Sequence, residues 1–451
     1  MAKKNIIHKQ KICLVAVDLG YGHQRAAIPL RYLDHNREMI LANNYPNIPA
    51  KDLKIWLGGK KPYEIVSRAK RIPIIGDILF WSMDQMQRIK NFYPRRNLLA
   101  KSLQLKTNIR MIRKHNWGKD LIDRLNKFNL PMVTTFFTVA YMAEEFNYQH
   151  DIYLVVCDAD VSRAWAAPDP MKSKIKYLAP NKRVYERLQL YGVHEDKIFF
   201  TGFPLPLENL GDERLSVLKK DIGKRLRNLD PENRYIAKYR MTITEYLGKD
   251  AVPEKSNYPL TITFAVGGAG SQRELGIRII KSLNNQIEKE EIRMILVAGI
   301  RREVKEYFED KVKKLGLAKA LGKNIQILHE DRREKYFENF NKILRVTDIL
   351  WTKPSELSFY CALGLPIIIA EPLGSQEKFN RKWLINIGSG VDAENIKYTN
   401  EWLFDWLKSG WLAEAAMQGF FEAPKYGTFN IEKIICRSLE NINEPDTVLR
   451  Y

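Results

Sequence analysis

The chain has 451 residues, about twice the length at which one hydrophobic core stops growing, so we expect at least two domains. Four widely spaced cysteines without a CxxC pair argue against a disulfide framework or a zinc site. No apolar stretch reaches the roughly 20 residues of a membrane-spanning helix, and the net charge of +20 favours anionic partners.

Short apolar runs that end in turn residues and precede amphipathic stretches recur along the chain, which predicts parallel α/β layers. Four of these predicted strands precede Gly202 and five follow Pro259. They are Ile12–Val17, Pro131–Thr138, Asp151–Cys157, Lys197–Thr201, Leu260–Val266, Arg293–Ala298, Asn324–Leu328, Thr347–Trp351 and Pro366–Ala370.

Two parallel-sheet domains are the simplest architecture for this order of strands. We predict a first domain over residues 1–207, a charged helical insertion and linker over 208–258, and a second domain over 259–451. The last helices of the chain could also pack back on the first domain.

A basic insertion over residues 36–129 separates the first two predicted strands. Its part from Lys60 to Lys114 has 14 Lys or Arg residues and 3 Asp or Glu residues, more than half of the net charge, and includes the apolar run Ile72–Trp81. One interpretation is an interfacial element that binds acidic lipid headgroups. The other is an ordinary helical subdomain with a solvated basic face. No recognition motif supports nucleic-acid binding.

Glycines and a histidine follow the first predicted strand, in DLGYGHQRAA. Gly20 and Gly22 would let the backbone approach a ligand at the carboxyl edge of the sheet. His23 could act there as a general base. A histidine in this position is also common as a helix cap or a packing residue.

Two aspartates follow another predicted strand, in CDADVSRAWAAPDP. Asp158 and Asp160 should lie at the same edge as His23, where a carboxylate could accept the proton of a substrate hydroxyl. The alternative is that each aspartate caps a turn.

The second domain has two stretches suited to an anion. FAVGGAGSQRE places Gly267, Gly268 and Gly270 before a predicted helix that begins near Ser271 and Gln272, so backbone amides could hold a pyrophosphate. Farther along, between Trp351 and Gly390, polar side chains concentrate at the carboxyl edge of the predicted sheet. These are Glu356, Gln376, Glu377 and Asn380.

The order of these motifs resembles a glycosyltransferase family that includes monogalactosyldiacylglycerol synthase, processive diacylglycerol glucosyltransferase and the peptidoglycan lipid-intermediate N-acetylglucosaminyltransferase. The resemblance covers most of the chain outside residues 36–129 and 208–258. The stretches that carry it are Gly20–Ala27, Asp158 with Trp165, Gly192–Pro204, Gly267–Gln272, Thr352–Pro354 and Gly374–Asn380.

The resemblance implies a GT-B fold, with two Rossmann-like parallel-sheet domains facing across a cleft. It also implies metal-independent transfer of a sugar from a nucleotide diphosphate, UDP by preference, to a hydroxyl acceptor such as a membrane lipid. No cofactor is required, and the location is cytoplasmic, at the inner face of the membrane. The implied catalytic residues are His23 and Asp158, and the implied acceptor-side residues are Gly20, Gly22, Asp160 and Trp165. The implied donor-binding residues are Gly267, Gly268, Ser271, Gln272, Lys353, Ser355, Glu356, Gly374, Gln376, Glu377 and Asn380.

Three positions depart from the family pattern. Pro354–Glu356 replaces a glycine turn, Ser358–Cys361 lacks the usual glutamate, and Ser162 stands where a histidine is common. Two alternatives therefore stay open. One is a non-catalytic GT-B protein that binds a nucleotide sugar or a lipid, and the other is a nucleotide-sugar epimerase on the same fold.

Overall fold

The computed structural model describes residues 11–58, 88–265, 272–372 and 374–440. These residues divide into two compact units. The first unit contains the chain up to Leu205 together with the residues from Pro424 onward, and the second contains Pro206–Ala423. The helical segment 208–258 thus belongs to the second unit, and the last helix belongs to the first.

The first unit is built on a six-stranded parallel sheet with the order β2-β1-β3-β4-β5-β6. Because β2 lies on one side of β1 and β3 lies on the other, the chain reverses direction across the sheet between β1 and β3. Its strands are β1 (Cys13–Ala16), β2 (Ile40–Leu41), β3 (Met132–Thr134), β4 (Ile152–Val155), β5 (Ile175–Ala179) and β6 (Ile198–Phe200).

Helices cover this sheet. A helical stretch over residues 50–58 belongs to the basic insertion, and the run Ile72–Trp81 lies outside the described residues. The other α-helices are α1 (Gly22–Ala27), α2 (Leu103–His115), α3 (Lys119–Asn126), α4 (Phe137–Glu145), α5 (Lys182–Leu190) and α17 (Gly427–Glu440), and 3-10 helices span Ile28–Leu33 and Arg163–Trp165.

The last helix, α17, is hydrogen-bonded to the segment that follows β6. The Thr428 hydroxyl donates to the Leu205 carbonyl at 2.5 Å, and the Asn430 amide donates to the Thr201 carbonyl at 2.9 Å. The backbones approach closely, since a Cβ at Gly427 would lie 2.1 Å from the Phe203 carbonyl oxygen. Helix α17 is therefore an integral part of the first unit.

The second unit has its own six-stranded parallel sheet, in the order β12-β11-β10-β7-β8-β9. Here the chain reverses direction between β7 and β10. Its strands are β7 (Leu260–Ala265), β8 (Ile292–Gly299), β9 (Ile325–His329), β10 (Ile349–Thr352), β11 (Ile367–Ile369) and β12 (Gly390–Asp392).

Helix α7 (Ser216–Leu229) is anchored in the second unit by the buried Arg225. Its guanidinium donates to the carbonyls of Leu344, Thr347 and Leu363 at 2.6–3.1 Å. The other α-helices are α6 (Leu207–Leu210), α8 (Arg234–Lys238), α9 (Arg240–Leu247), α10 (Arg273–Ser282), α11 (Asn284–Glu288), α12 (Arg302–Lys314), α13 (Arg333–Leu344), α14 (Ser375–Asn386), α15 (Thr399–Lys408) and α16 (Trp411–Glu422). A 3-10 helix spans Glu356–Leu363.

The two parallel sheets confirm the predicted α/β fold class, and all nine predicted strands are present. The sequence analysis did not predict three strands of the structure, β2, β5 and β12. Lysines interrupt the apolar pattern of β5, β2 has only two residues, and β12 consists of Gly, Val and Asp, of which two have low strand propensity. The run Pro131–Thr138 was predicted too long, because the chain leaves the sheet after Thr134 and α4 begins at Phe137.

Candidate functional site

In open parallel sheets, ligands bind outside the carboxyl ends of the strands where the chain reverses direction across the sheet. In the first unit, the residues after β1 and after β3 meet this condition. In the second unit, those after β7 and β10 do. Each unit is described separately.

In the first unit, His23 lies one turn beyond β1. Gly20 has a φ of +111°, a left-handed conformation that other residues adopt with strain, and Gly22 begins α1. The imidazole Nδ1 lies 2.7 Å from the carbonyl oxygen of Thr135, which follows β3. Because a carbonyl only accepts, this hydrogen bond requires a proton on Nδ1. The neutral imidazole then carries its lone pair on Nε2, as a general base requires.

Aromatic rings surround this imidazole. The ring centroid of Phe136 lies 5.0 Å from that of His23 in an edge-on arrangement, and that of Trp165 lies 6.4 Å away. Trp56, from the basic insertion, lies 6.1 Å from Phe136 and 4.6 Å from Trp117. We call Trp56, Phe136 and Trp165 the aromatic wall. Sequence analysis did not identify Trp56 or Phe136, since Phe136 meets His23, and Trp56 meets Phe136, only through tertiary packing.

The two aspartates after β4 have different surroundings. Asp160 is 2% exposed, and both of its carboxylate oxygens pair with the fully buried Arg187 at 2.8 Å. That ion pair holds α5 against the loop after β4. Asp158 is half-buried at the carboxyl edge. Asp158 is therefore better placed than Asp160 to meet a ligand.

In the second unit, Lys353 follows β10 directly, and its Nζ lies 2.5 Å from Oε1 of Glu377 in the first turn of α14. The Lys353 and Glu377 side chains are 20% and 14% exposed, so solvent and ligands can reach the pair. The buried Asn380 amide donates to the Pro354 carbonyl at 3.2 Å. These two contacts fix the turn after β10 against α14.

Other predicted donor residues lie at the same edge. Gly374 is the N-cap of α14, Gln376 is half-buried in its first turn, and Ser355 precedes the 3-10 helix that begins at Glu356. The Gln272 amide donates to the Glu371 carbonyl at 3.0 Å, which connects the start of α10 to the loop after β11. Gly267, Gly268, Gly270 and Ser271 lie outside the described residues.

An exposed apolar and basic surface lies in the first unit. Tyr93 and Leu103 are 63% and 65% exposed, and Leu99 between them is 47% exposed. Helix α2 adds basic side chains, among which Lys106 and Arg110 are exposed. We call these five residues the basic apolar surface. Exposed large apolar side chains and exposed basic side chains both occur on surfaces that contact a partner or a membrane.

Within 11–58, 88–265, 272–372 and 374–440, no group of three or more His, Cys, Asp or Glu side chains could hold a metal ion. No helix in these ranges is long and apolar enough to cross a bilayer.

Comparisons with known proteins give one family match. Residues 251–430 match the model of a family described as a domain of unknown function, DUF6938. No curated protein matches the sequence.

Among solved structures, Acinetobacter baumannii MurG is similar over 95% of this chain and 99% of its own, with 12% identity and a TM-score of 0.47. S. aureus MnaA, in a co-structure with UDP, is similar over 86% of this chain and 96% of its own, with 12% identity and a TM-score of 0.43. UDP-GlcNAc 2-epimerase from Neisseria meningitidis, bound to UDP-GlcNAc, is similar over 81% of this chain and 88% of its own, with 14% identity and a TM-score of 0.42. The strand orders of the two sheets show two Rossmann-like parallel-sheet units, an architecture consistent with the GT-B fold.

Proposed function

We propose that this chain is a glycosyltransferase that moves a sugar from a UDP-sugar donor to the hydroxyl group of a membrane lipid. The observation that carries the proposal is the hydrogen bond between His23 and Thr135, at the reversal point of the first sheet. It orients a neutral imidazole with its lone pair on Nε2. The order of motifs shared with lipid glycosyltransferases supports the same reaction class.

The reaction is a single displacement. His23 accepts the proton of the acceptor hydroxyl at Nε2 while the hydroxyl oxygen forms a bond to the anomeric carbon of the sugar. The bond from that carbon to the phosphate oxygen breaks, and its electron pair leaves with UDP. The configuration at the anomeric carbon is therefore inverted. The aromatic wall would cover the apolar part of the acceptor.

The second unit would bind the nucleotide. The Lys353 ammonium and the backbone amides at the start of α14 suit a diphosphate, because both present positive charge at one edge of the sheet. Glu356 would accept from the ribose hydroxyls, since the glutamate usual in the family is absent. This arrangement stabilises the leaving diphosphate without a bound metal.

Activity assays with purified protein test the proposal. The protein is incubated with UDP-glucose, UDP-galactose or UDP-GlcNAc, with and without diacylglycerol in anionic vesicles, and both free UDP and the sugar products are measured. The expected result is release of UDP that depends on the lipid acceptor. GDP-mannose serves as the control donor.

Other results identify the alternatives. Conversion of the free nucleotide sugar to its epimer without a lipid would indicate an epimerase. Saturable UDP-sugar binding with no turnover on any acceptor would indicate a non-catalytic binding protein. Absence of nucleotide binding would contradict the transferase and the epimerase, and would leave only a non-catalytic protein that binds a lipid.

A further inference from the structure

A pocket of about 620 Å³ lies in the second unit, between helix α7 and the loop that precedes β7. Its volume is within the roughly 300–1,000 Å³ range of small-molecule sites. Four lysines line it, against one carboxylate. They are Lys219, Lys220, Lys224 and Lys255, and the carboxylate is that of Asp250. We call this the lysine pocket.

Close backbone packing holds the walls of the pocket in place. A Cβ at Gly223 of α7 would lie 1.9 Å from the carbonyl oxygen of Ala251, so only glycine permits this approach. One turn farther along α7, the Arg227 guanidinium donates to the Pro253 carbonyl at 2.8 Å. Arg225 fixes the same helix to the rest of the unit. The pocket is therefore a preformed part of the unit.

The four ammonium groups bring positive charge to one concave site. None of them forms an ion pair or hydrogen bond with another residue in the part of the chain that the structure describes. Other surface lysines of this unit do have such partners, as Lys314 pairs with Asp310 at 2.9 Å. Cations gathered around a concave site without carboxylate partners attract an anion with several charges.

The lysine pocket is separate from the candidate donor site. Asn257 lines the pocket and precedes β7, so the pocket lies on the amino side of the second sheet. Lys353 lies at the carboxyl edge, after a strand that pairs in register with β7. A six-residue strand spans about 20 Å at roughly 3.3 Å per residue. One nucleotide diphosphate therefore does not fill both sites.

We infer that the lysine pocket is a second ligand site that binds a small soluble molecule carrying two or more phosphate groups. Lysine binds phosphate as a compact point charge, and four such charges match a diphosphate or triphosphate. Leu247 and Pro253 add an apolar surface for an organic portion of the ligand. This inference does not depend on the glycosyltransferase activity.

Lysine labelling with an amine-reactive reagent tests the site residue by residue. The purified protein is labelled with and without inorganic pyrophosphate, at constant ionic strength, and modification is measured by peptide mass spectrometry. At about ten times the dissociation constant, occupancy predicts about tenfold slower labelling of the pocket lysines. The exposed Lys289 and Lys313, which lie outside the pocket, should label at an unchanged rate.

A pair of matched variants completes the test. K220Q/K224Q should abolish the protection of Lys219 and Lys255, whereas K289Q/K313Q, with the same change in net charge, should preserve it. The labelling rate of Lys353 in the same samples shows separately whether pyrophosphate occupies the candidate donor site. Equal protection of pocket and control lysines, or no protection of the pocket lysines, would show the inference to be wrong. Circular dichroism checks that both variants are folded.

Discussion

The Nδ1 atom of His23 lies 2.7 Å from the carbonyl oxygen of Thr135, so one hydrogen bond connects the segments after β1 and β3. These are the neighbouring strands between which the chain reverses direction across the first sheet. The bond selects the tautomer with a proton on Nδ1 and a lone pair on Nε2. His23 is thus positioned by the backbone that follows another strand, as its proposed role of general base would require.

His23→Ala should lower turnover by about 10²–10⁴-fold, the usual contribution of a general base. UDP affinity, which the proposed function assigns to the second unit, should stay nearly unchanged. The control is His150→Ala, a half-buried histidine of the same unit that bonds to Asn129. If His23→Ala kept turnover within about threefold, less than one kcal/mol of barrier, the base would be Asp158. If His23→Ala did not fold, His23 would have a structural role instead of a catalytic one.

Lys353→Met should weaken UDP binding by roughly 10- to 150-fold, which corresponds to the 1.5–3 kcal/mol of a hydrogen bond to a charged group. Isothermal titration with UDP measures the effect. The control is Lys378→Met, because Lys378 is an exposed lysine on the same helix as Glu377, the partner of Lys353. Equal affinities of the two variants would exclude Lys353 from the donor site.

The basic apolar surface should bind anionic vesicles at low salt, and binding should weaken as salt is raised. Each cation near such a membrane contributes about 1 kcal/mol, so K106Q/R110Q should reduce vesicle affinity by roughly 30-fold. K289Q/K313Q, in the second unit, controls for total charge. Unchanged co-sedimentation of K106Q/R110Q would support the ordinary subdomain interpretation of the basic insertion.

Gly427→Ala should destabilise the first unit by about 1–3 kcal/mol, the usual cost of overpacking. The new Cβ would lie 2.1 Å from the Phe203 carbonyl oxygen, so α17 must shift away from the segment after β6. Gly58→Ala is the control, because a Cβ there meets nothing within 4 Å. Denaturant unfolding with equal midpoints for both variants would contradict the close packing of α17.

Stability should depend on pH through Asp348 at the start of β10. Burial raises the pKa of this carboxyl from its ordinary value of 3.8 to about 7, although Thr261, Tyr258 and Asn228 donate hydrogen bonds to it. A raised carboxyl pKa stabilises the fold below the unfolded pKa, and this stabilisation is lost as pH rises through about 7. The contribution of the Asp348 carboxyl to the free energy of unfolding is up to about 4 kcal/mol.

Asp348→Asn should remove this pH dependence. Chemical unfolding of wild type and variant between pH 4 and pH 8 measures it, and Asp331→Asn, at an exposed position, is the control. The stability of wild type relative to Asp348→Asn should decrease over that range. A constant difference would mean that Asp348 titrates near its ordinary pKa when folded.

Local patterns determined the two-sheet class and nine of the twelve strands, because buried parallel strands read as short apolar runs ended by turn residues. They also located Gly20, His23 and Lys353 immediately after strands, and therefore at the carboxyl edges. Tertiary structure alone decided which groups these residues meet. The Thr135 carbonyl that orients His23 is 112 residues away in sequence, and Glu377 is 24 residues from Lys353.

Contacts between residues that are distant in sequence also explain the other differences between the sequence analysis and the structure. The Asp160 and Asp158 side chains look equivalent in sequence, but only Asp160 meets Arg187, which is 27 residues away on α5. Trp56 lies 6.1 Å from Phe136, a ring that is 80 residues away in sequence. Strand order and side-chain contacts between distant segments depend on how the units pack, and a local pattern of hydrophobicity does not encode which partners are brought together.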